Sequence, residues 1–429
     1  MNDALDYPWR ADPGAMEWWQ EARLGLFLHF GVASFLGVEL SWGRALPRPF
    51  DVPHVVIQPG EDPQAVPHEV YDNLYRKFDP AQFDATAWVE AARDLGAGYV
   101  VLTAKHHDGF CLWDSALTDY KITSPDSPFG RDIVREFADA CHASGMRLGI
   151  YYSQRDWHHP DYLQGDNHLY QQYMDGQLRE LLTNYGEVDV LWFDSYGESE
   201  LSDWDPASTL ELARQLQPGI LINNRLAVLA RFNEWPEEFW GDFDTPEQEI
   251  GDLQLDRPWE SCVTLAPIQW GWHPSADLLS RAECIRALVT CATRGGNLLL
   301  NVGPDPSGLI EARQRARLAE LGSWLAQFGE SIRGTSGVAV SDGVWGGITR
   351  SEDSLYVHVL DWQGDDGVDV PIALRTAAPL EVLTGGTAVT EPLATGSRIV
   401  VRSEDPRPID TIIRIRRTDV IDPFLGSSS

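Results

Sequence analysis

The sequence predicts an α/β fold: an irregular (β/α) barrel followed by a C-terminal antiparallel β-sandwich. Three observations predict it. Between about residues 20 and 330, near-continuous apolar runs alternate with amphipathic stretches; parallel strands buried on both faces, and the helices that cover them, produce this rhythm. About 300 residues of it suit a barrel better than an open sheet. After Gly334 the apolar residues recur with period two instead. The chain accordingly divides into a barrel over 1–334 and a sandwich over 335–429.

The expected strands are Leu24–Phe30, Tyr99–Ala104, Arg147–Ser153, Val188–Asp194, Ile220–Asn224 and Asn297–Val302. Helices are expected at about 84–95, 131–144, 167–184, 207–216, 276–293 and 310–329. Most strands are followed by a helix, which makes βα units. Two further units give no clear signal. Residues 38–75 break the rhythm; they are Pro-rich, with stretches such as SWGRALPRPFDVP, and are expected to form a long loop over the top of the barrel. In the last section, SLYVHVLDW, GVDVPIAL, SRIVVRSE and DTIIRIRR alternate apolar with polar between Gly, Asp and Thr turns, as sandwich strands do. The terminal FLGSSS is expected to fray.

Composition narrows the function. The chain has 429 residues, with 33 basic against 65 acidic side chains, for a net charge of −32. Nucleic acid and anionic lipid need Lys and Arg to neutralise phosphate, so both are disfavoured as partners. Lysines occur at Lys77, Lys105 and Lys121; the other basic residues are Arg. An acidic, Lys-poor surface suits high salt, and a GC-rich genome gives a similar bias. The N-terminal MNDALDYPWRADPG has no apolar core of a signal peptide, and no apolar run approaches a membrane span. The expectation is a cytoplasmic protein. Cys111, Cys141, Cys262, Cys284 and Cys291 are scattered, without a CxxC pair, which reads as buried free thiols rather than zinc ligands or disulfides. The 17 Trp suit either a large core or a cleft for flat apolar faces such as sugars.

In a (β/α) barrel the functional groups sit where strands end. The first run ends at His29 and the second at His106, His107 and Asp108. The third ends at Tyr151, Asp156 and Trp157, the fourth at Trp192 and Asp194, and the fifth at Asn223, Asn224 and Arg225. DFDTPEQE and RPWESC add Asp244, Glu247, Glu249 and Glu260. A carboxylate ending an apolar strand is costly to bury without a purpose, which singles out Asp194. Neighbouring histidines suggest a metal, but no third ligand stands at a recognisable spacing. Adjacent side chains on a strand also point to opposite faces, so substrate hydrogen bonding is preferred and no metal is expected. Two carboxylates across a Trp-lined pocket are the parts of retaining glycoside hydrolysis. Lys105 could form a Schiff base in an aldolase, but LTAKHHDGF places it beside polar residues rather than in a dry pocket.

The stretches WWQEARLGLFLHFGVASF, AKHHDGFCLWDS, GRDIVREFADACHASGMRLGIYYS, VDVLWFD, NNR, TPEQE, WESC and GGNLLLNVGP together resemble glycoside hydrolase family 29, the α-L-fucosidases. The resemblance runs through nearly the whole barrel. It implies a distorted (β/α)8-like barrel with a C-terminal β-sandwich, and a retaining exo-hydrolase of terminal α-L-fucosides without cofactor or metal. It implies Asp194 as nucleophile and a downstream Glu as acid/base, with Glu247 the best match and Glu260 and Glu249 as backups. It also implies sugar contacts at His29, His106, His107, Tyr151, Trp192 and Arg225, with Trp270 near the sugar's methyl side. Many members carry Glu-Trp in the loop after the first strand; here the pair is Ser41-Trp42. Trp42 keeps its expected contact, Glu39 could substitute for the Glu if the loop register differs, and recognition of one hydroxyl is put in doubt. Two alternatives follow: the same mechanism on a related L-sugar (α-L-galactoside or α-L-glucoside), and a catalytically silent sugar-binding barrel. The expected partner is a carbohydrate; assembly into a homo-oligomer is left open.

Overall fold

The apolar runs pair as parallel strands: β1 (Leu24–Leu28), β2 (Tyr99–Lys105), β3 (Arg147–Tyr152), β4 (Val190–Phe193), β5 (Leu221–Ile222), β6 (Glu260–Thr264) and β7 (Asn297–Val302). They form one sheet in the order β5-β4-β3-β2-β1-β7-β6. The computed structural model describes residues 11, 13–44, 66–163, 167–194, 205–226, 241–267, 269–339, 345–362, 366–375, 379–402 and 408–421. Residues 45–65 of the expected loop excursion and the FLGSSS tail lie outside them.

The two edges of this sheet are joined by residues 242–247. Asn223 bridges Phe243, Asp244 bridges Trp259, and Glu247 bridges Cys262, each in parallel sense. Backbone hydrogen bonds run to both neighbours: Asp242 N–H to the Ile222 carbonyl, and Cys262 N–H to the Pro246 carbonyl. This segment is the irregular eighth stave that closes the ring. Pro246 has no N–H for a ladder, which is why the stave is bridged rather than regularly paired.

Period two decides what each stave shows the interior. Phe27, Val101, Tyr151, Trp192, Leu221, Phe243, Cys262 and Leu299, one from each stave, form a single buried cluster. Trp19, on α1 (Pro13–Ala22), joins this cluster and plugs its lower end, where Asn297 Nδ2 donates to the Trp19 carbonyl at 2.7 Å. Two positions further up the same inner faces come His29, Asp194, Asn223, Thr245, Thr264 and Asn301.

The covering helices are, after the single turn α2 (His68–Tyr71), α3 (Ala85–Leu95), α4 (Ile133–Ser144), α5 (His168–Asn184), α6 (Pro206–Leu216), α7 (Arg281–Thr293) and α8 (Ala312–Phe328). Their starts follow cap chemistry. Asp84, Asp132 and Asp205 each accept a backbone N–H of the first turn. α7 begins several residues later than the pattern indicates because Ser280 and Glu283 form a reciprocal capping box.

Beyond α8 the strands are antiparallel. β8 (Ser336–Gly337), β9 (Gly346–Arg350), β10 (Ser354–Val359), β12 (Glu381–Val382) and β15 (Thr411–Arg416) make one sheet, and β11 (Gly367–Val370), β14 (Gly396–Arg402) and β13 (Thr387–Leu393) make the other. Ile348, Val357, Ile413, Val368, Ile399 and Val401 fill the core between them. The sandwich is tied to the barrel through buried His358, whose Nδ1 meets Asp410 Oδ2 at 2.7 Å and whose Nε2 lies 3.3 Å from the Ser331 carbonyl. The five cysteines are buried free thiols. Among the described residues no helix is long and apolar enough to cross a membrane.

Candidate active site

At the upper mouth of the barrel a cavity of about 180 Å³ is lined by Phe27, His29, Trp42, His106, His107, Tyr151, Arg155, Trp192, Asp194, Arg225, Glu247 and Trp270. It lies below the usual ~300–1,000 Å³ of drug-sized pockets, so it suits one sugar ring. Its walls follow from the inner-face alternation. Phe27 and His29 are neighbours on one face of β1 and its extension. Trp192 and Asp194 are neighbours on β4. Arg225 and Glu247 come from the ends of the next two staves.

Asp194 is the most heavily served group. Oδ2 accepts the Tyr151 hydroxyl at 2.8 Å and faces His107 Nε2 at 3.7 Å, while Oδ1 accepts Arg225 Nη1 at 3.1 Å. Burial alone would push this carboxyl up. Arg225, then Arg155 and the Tyr151 hydroxyl outweigh it and hold Asp194 below the usual carboxylate range. The same Arg225 Nη1 reaches Glu247 Oε2 at 2.8 Å. Asp194 and Glu247 are thus bridged by one nitrogen, and those two oxygens can be no more than about 6 Å apart. Retaining pairs stand ~5–5.5 Å apart and inverting pairs ~6.5–9.5 Å. The Asp194 side chain is 17% exposed and that of Glu247 41%, so the shielded carboxyl sits deeper and the other stands at the solvent side.

The histidines are fixed by partners outside the cavity. His29 Nδ1 meets Asn301 Oδ1 at 2.7 Å, and His106 Nδ1 meets Ser41 Oγ at 2.6 Å. Burial lowers His29 to about 4 and His106 well below its ordinary value, so both rings are neutral hydrogen-bonding groups at neutral pH. The expectation that adjacent histidines point to opposite faces fails. β2 ends at Lys105, the chain turns at His107–Asp108, and the two rings lie side by side with centroids 4.0 Å apart. Gly109 makes the turn feasible: its φ is +83°, and a Cβ there would fall 2.1 Å from Asp156 Oδ1.

The apolar wall is Phe27, Trp192 and Trp270, with Phe27–Trp192 centroids 5.2 Å and His29–Trp270 centroids 4.8 Å apart. Trp42 lies edge-on to His107 at 5.3 Å and to Trp157 at 5.2 Å. Among the described residues, His106, His107 and Asp194 are the group whose ligand atoms approach closely enough, within 4.8 Å, to consider a metal. Arg225 already binds that carboxylate and Arg155 adds a second positive charge to its field, which opposes a dication there.

The chain matches the model of the alpha-L-fucosidase family over residues 9–330. It belongs to that family. Alpha-L-fucosidase isoenzyme 1 from Paenibacillus thiaminolyticus is similar to it, with 34% identity, a TM-score of 0.80, and coverage of 95% of this chain and 99% of that one. An alpha-L-fucosidase from Bacteroides thetaiotaomicron, solved as a trapped covalent intermediate with 2-fluoro-fucosyl fluoride, superposes with a TM-score of 0.79 at 25% identity, covering 94% of this chain and 96% of that one. The plasma alpha-L-fucosidase of Rattus norvegicus is 30% identical over 408 residues, 90% of this chain and 86% of its own length.

Within this family member, the residues expected at the sugar, His29, Trp42, His106, His107, Tyr151, Trp192, Arg225 and Trp270, all line the cavity. Glu260 and Glu249 do not. Glu260 opens β6 at the bottom of the inner wall, fully buried, where it accepts the Tyr99 hydroxyl and Trp192 Nε1 (3.2 Å). Roughly 13 Å of strand separates it from the mouth, and burial raises it to about 7. Glu249 is exposed on the loop after Glu247. Ser41 is fully buried, serving His106 and accepting the Asp108 N–H at 2.9 Å. Glu39 does not take the missing place in the cavity; its carboxylate accepts the backbone N–H groups of Trp270 (2.9 Å) and Gly271 (3.3 Å). Lys105 is in a dry pocket after all, contrary to expectation. It is 1% exposed, 3.0 Å from Asp156 and 4.5 Å from the Tyr152 ring centroid, and it is not among the residues lining the cavity.

The sequence reading missed Gln154 and Arg155. Gln154 Oε1 accepts the Asp194 N–H at 2.8 Å, and its Nε2 donates to the Arg225 carbonyl at 2.8 Å, locking the two stave ends together. Arg155 lines the cavity itself. The signal was present in IYYSQRDW: a run of polar residues directly after an apolar strand, all buried.

Proposed function

We propose that this protein hydrolyses terminal α-L-fucosides with retention of configuration, Asp194 acting as nucleophile and Glu247 as acid/base. The observation that carries the reading is the Arg225 nitrogen shared by both carboxylates, which keeps the two oxygens it binds within about 6 Å, short of the ~6.5–9.5 Å of inverting pairs. Family membership supports fucoside over the α-L-galactoside and α-L-glucoside alternatives. The convergence of both carboxyls on one cavity speaks against a silent sugar-binding barrel.

The steps follow from the geometry. Asp194, held ionised, attacks the anomeric carbon, while Glu247, at the solvent side, gives its proton to the leaving oxygen. Glu247 then takes a proton from water, which displaces Asp194 from the face the leaving group vacated, opposite the Asp194 ester. His29 and His106, neutral, hydrogen-bond ring hydroxyls, and Phe27, Trp192 and Trp270 cover the C5 methyl. An apolar wall discriminates an added hydroxyl weakly, by roughly 10²-fold, so L-galactosides are slow substrates rather than excluded ones. A panel of aryl α-L-fucoside, α-L-galactoside, α-L-glucoside, β-D-galactoside and α-L-rhamnoside tests this. Fucoside should rank first with measurable L-galactoside turnover; faster cleavage of the L-glucoside would overturn the sugar assignment.

A further inference from the structure

The mechanism asks opposite things of two carboxyls that share one cation. Asp194 has to be ionised while Glu247 carries a proton, yet Arg225 Nη1 contacts both, at 3.1 and 2.8 Å, and a shared positive charge favours ionisation of both. A second charge, placed asymmetrically, is needed to tell them apart.

Arg155 stands in that place. Its side chain lines the cavity and the residue is 3% exposed. Nη1 lies 3.4 Å from His107 Nε2, and that nitrogen lies 3.7 Å from Asp194 Oδ2; the guanidinium is therefore within about 7 Å of the carboxylate, inside one Debye length and shielded from solvent. A guanidinium can only donate, so His107 Nε2 is the acceptor and the ring proton sits on Nδ1, facing Ser153 Oγ at 2.7 Å. The same hydroxyl accepts the Arg155 backbone N–H at 3.0 Å, so one serine fixes both partners. The cation lies 5.5 Å from the Trp42 ring centroid, which holds it in place and keeps water away. Arg155 thus adds its charge on the Asp194 side of the shared Arg225.

We propose that Arg155 is the positioning charge of the catalytic pair, a fixed cation that faces Asp194 across His107 and distinguishes the nucleophile from the acid/base. This rests on the glycosidase reading above and deepens it. The other groups facing Asp194 are Tyr151 from β3, His106 and His107 from the β2 turn, and His29 from β1. Arg225, after β5, carries Glu247 beyond it. Burial keeps His29 and His106 neutral, so among the described residues Arg225 and Arg155 are the permanent cations of this field.

The test is kcat/KM against pH with an aryl α-L-fucoside for wild type, Arg155→Gln and Arg155→Lys. The Gln variant should move the acid limb to higher pH by about 0.5–1 unit and leave the alkaline limb where it is; the Lys variant should bring the acid limb back. Arg155→Met, which keeps the stem against Trp42, should repeat the Gln result if Gln folds poorly. Unmoved limbs, or two limbs moving together, would overturn the proposal, whatever happens to the rate. Should wild type not cleave the fucoside, the functional reading fails separately. Carboxyl ¹³C titration of Asp194 in wild type and Arg155→Gln then still decides the inference: equal titration points would sink it, and a higher one in the variant would uphold it.

Discussion

Asp194 is held as a carboxylate: Arg225 and Arg155 favour its ionised form, it accepts a tyrosine hydroxyl, and its backbone is pinned by Gln154. Asp194→Gly should lower kcat by at least roughly 10³-fold, because covalent catalysis is lost. Added azide, small enough for the space vacated, should restore turnover and give the inverted glycosyl azide; near-normal activity without azide would remove Asp194 from the role. Glu247→Ala should cost natural disaccharides about 10²–10⁴-fold, the usual value of general-acid help, and dinitrophenyl fucoside far less, because that leaving group needs no proton. If Glu260→Ala shows this leaving-group pattern instead, the assignment moves, against the position of Glu260 at the bottom of the barrel. The sequence points to Asp194 as a carboxylate closing an apolar strand and to Glu247 through the family resemblance of its TPE stretch, and both line the cavity. Arg155 and Gln154 were not legible there, since a polar residue after a strand reads as loop until burial is known.

At the scale of elements, the segment from Val38 to Arg44 clasps the cavity at three points. Glu39 holds the Trp270–Gly271 backbone, Ser41 holds His106, and Trp42 forms part of the rim. Its tightness is visible at Gly271, where a Cβ would lie 3.2 Å from the Leu40 side chain. Glu39→Gln replaces one acceptor oxygen with a donor that must face a backbone N–H. Trp270, and through its carbonyl Asn301 and His29 (2.9 and 2.7 Å), should shift. A displacement of about 1 Å at a substrate wall can cost up to 10²-fold; the expectation is a kcat/KM loss of about 10-fold or more for fucoside, with a narrower gap between fucoside and L-galactoside. An unchanged ratio would show that the clasp does not set the wall. The staves that sequence pattern missed share one cause. β6 (ESCVT) and residues 242–247 (DFDTPE) turn Glu260, Thr264 and Thr245 into the barrel, so the polar interior that makes a site erases the apolar run that marks a strand. The six staves with longer apolar runs were visible.

For the molecule as a whole, acidity acts at two depths that salt can separate. The surface carries most of a net charge of −32, and its self-repulsion is screened as the Debye length falls from ~8 Å at 0.15 M to ~3 Å at 1 M salt. Glu39, Asp244 and Glu260 are different: burial raises each to about 7 from 4.5, 3.8 and 4.5, and salt barely reaches them. A carboxyl raised on folding makes the native state bind more protons than the unfolded one, so its contribution to stability declines as pH rises toward the folded value and levels off above it. His29, lowered to about 4, and His106 act in the opposite sense, but below their unfolded value near 6.5. The window to read is pH 6.5 to 8: the unfolded forms of these two histidines give up their remaining charge there, which returns less than about 1 kcal/mol, while the three carboxyls still titrate. Over it they should remove of order 2 kcal/mol. Tm at pH 8 should rise with NaCl as the surface is screened. In 1 M NaCl it should still lie a few degrees below Tm at pH 6.5, and Glu260→Gln, which takes one buried charge out of the balance, should narrow that residual gap. A Tm that is flat from pH 6.5 to 8 in high salt would mean that the three carboxyls are hydrated in solution. Their place among Trp192, Tyr99 and Trp270 would then have to be more open than the dry inner wall described above.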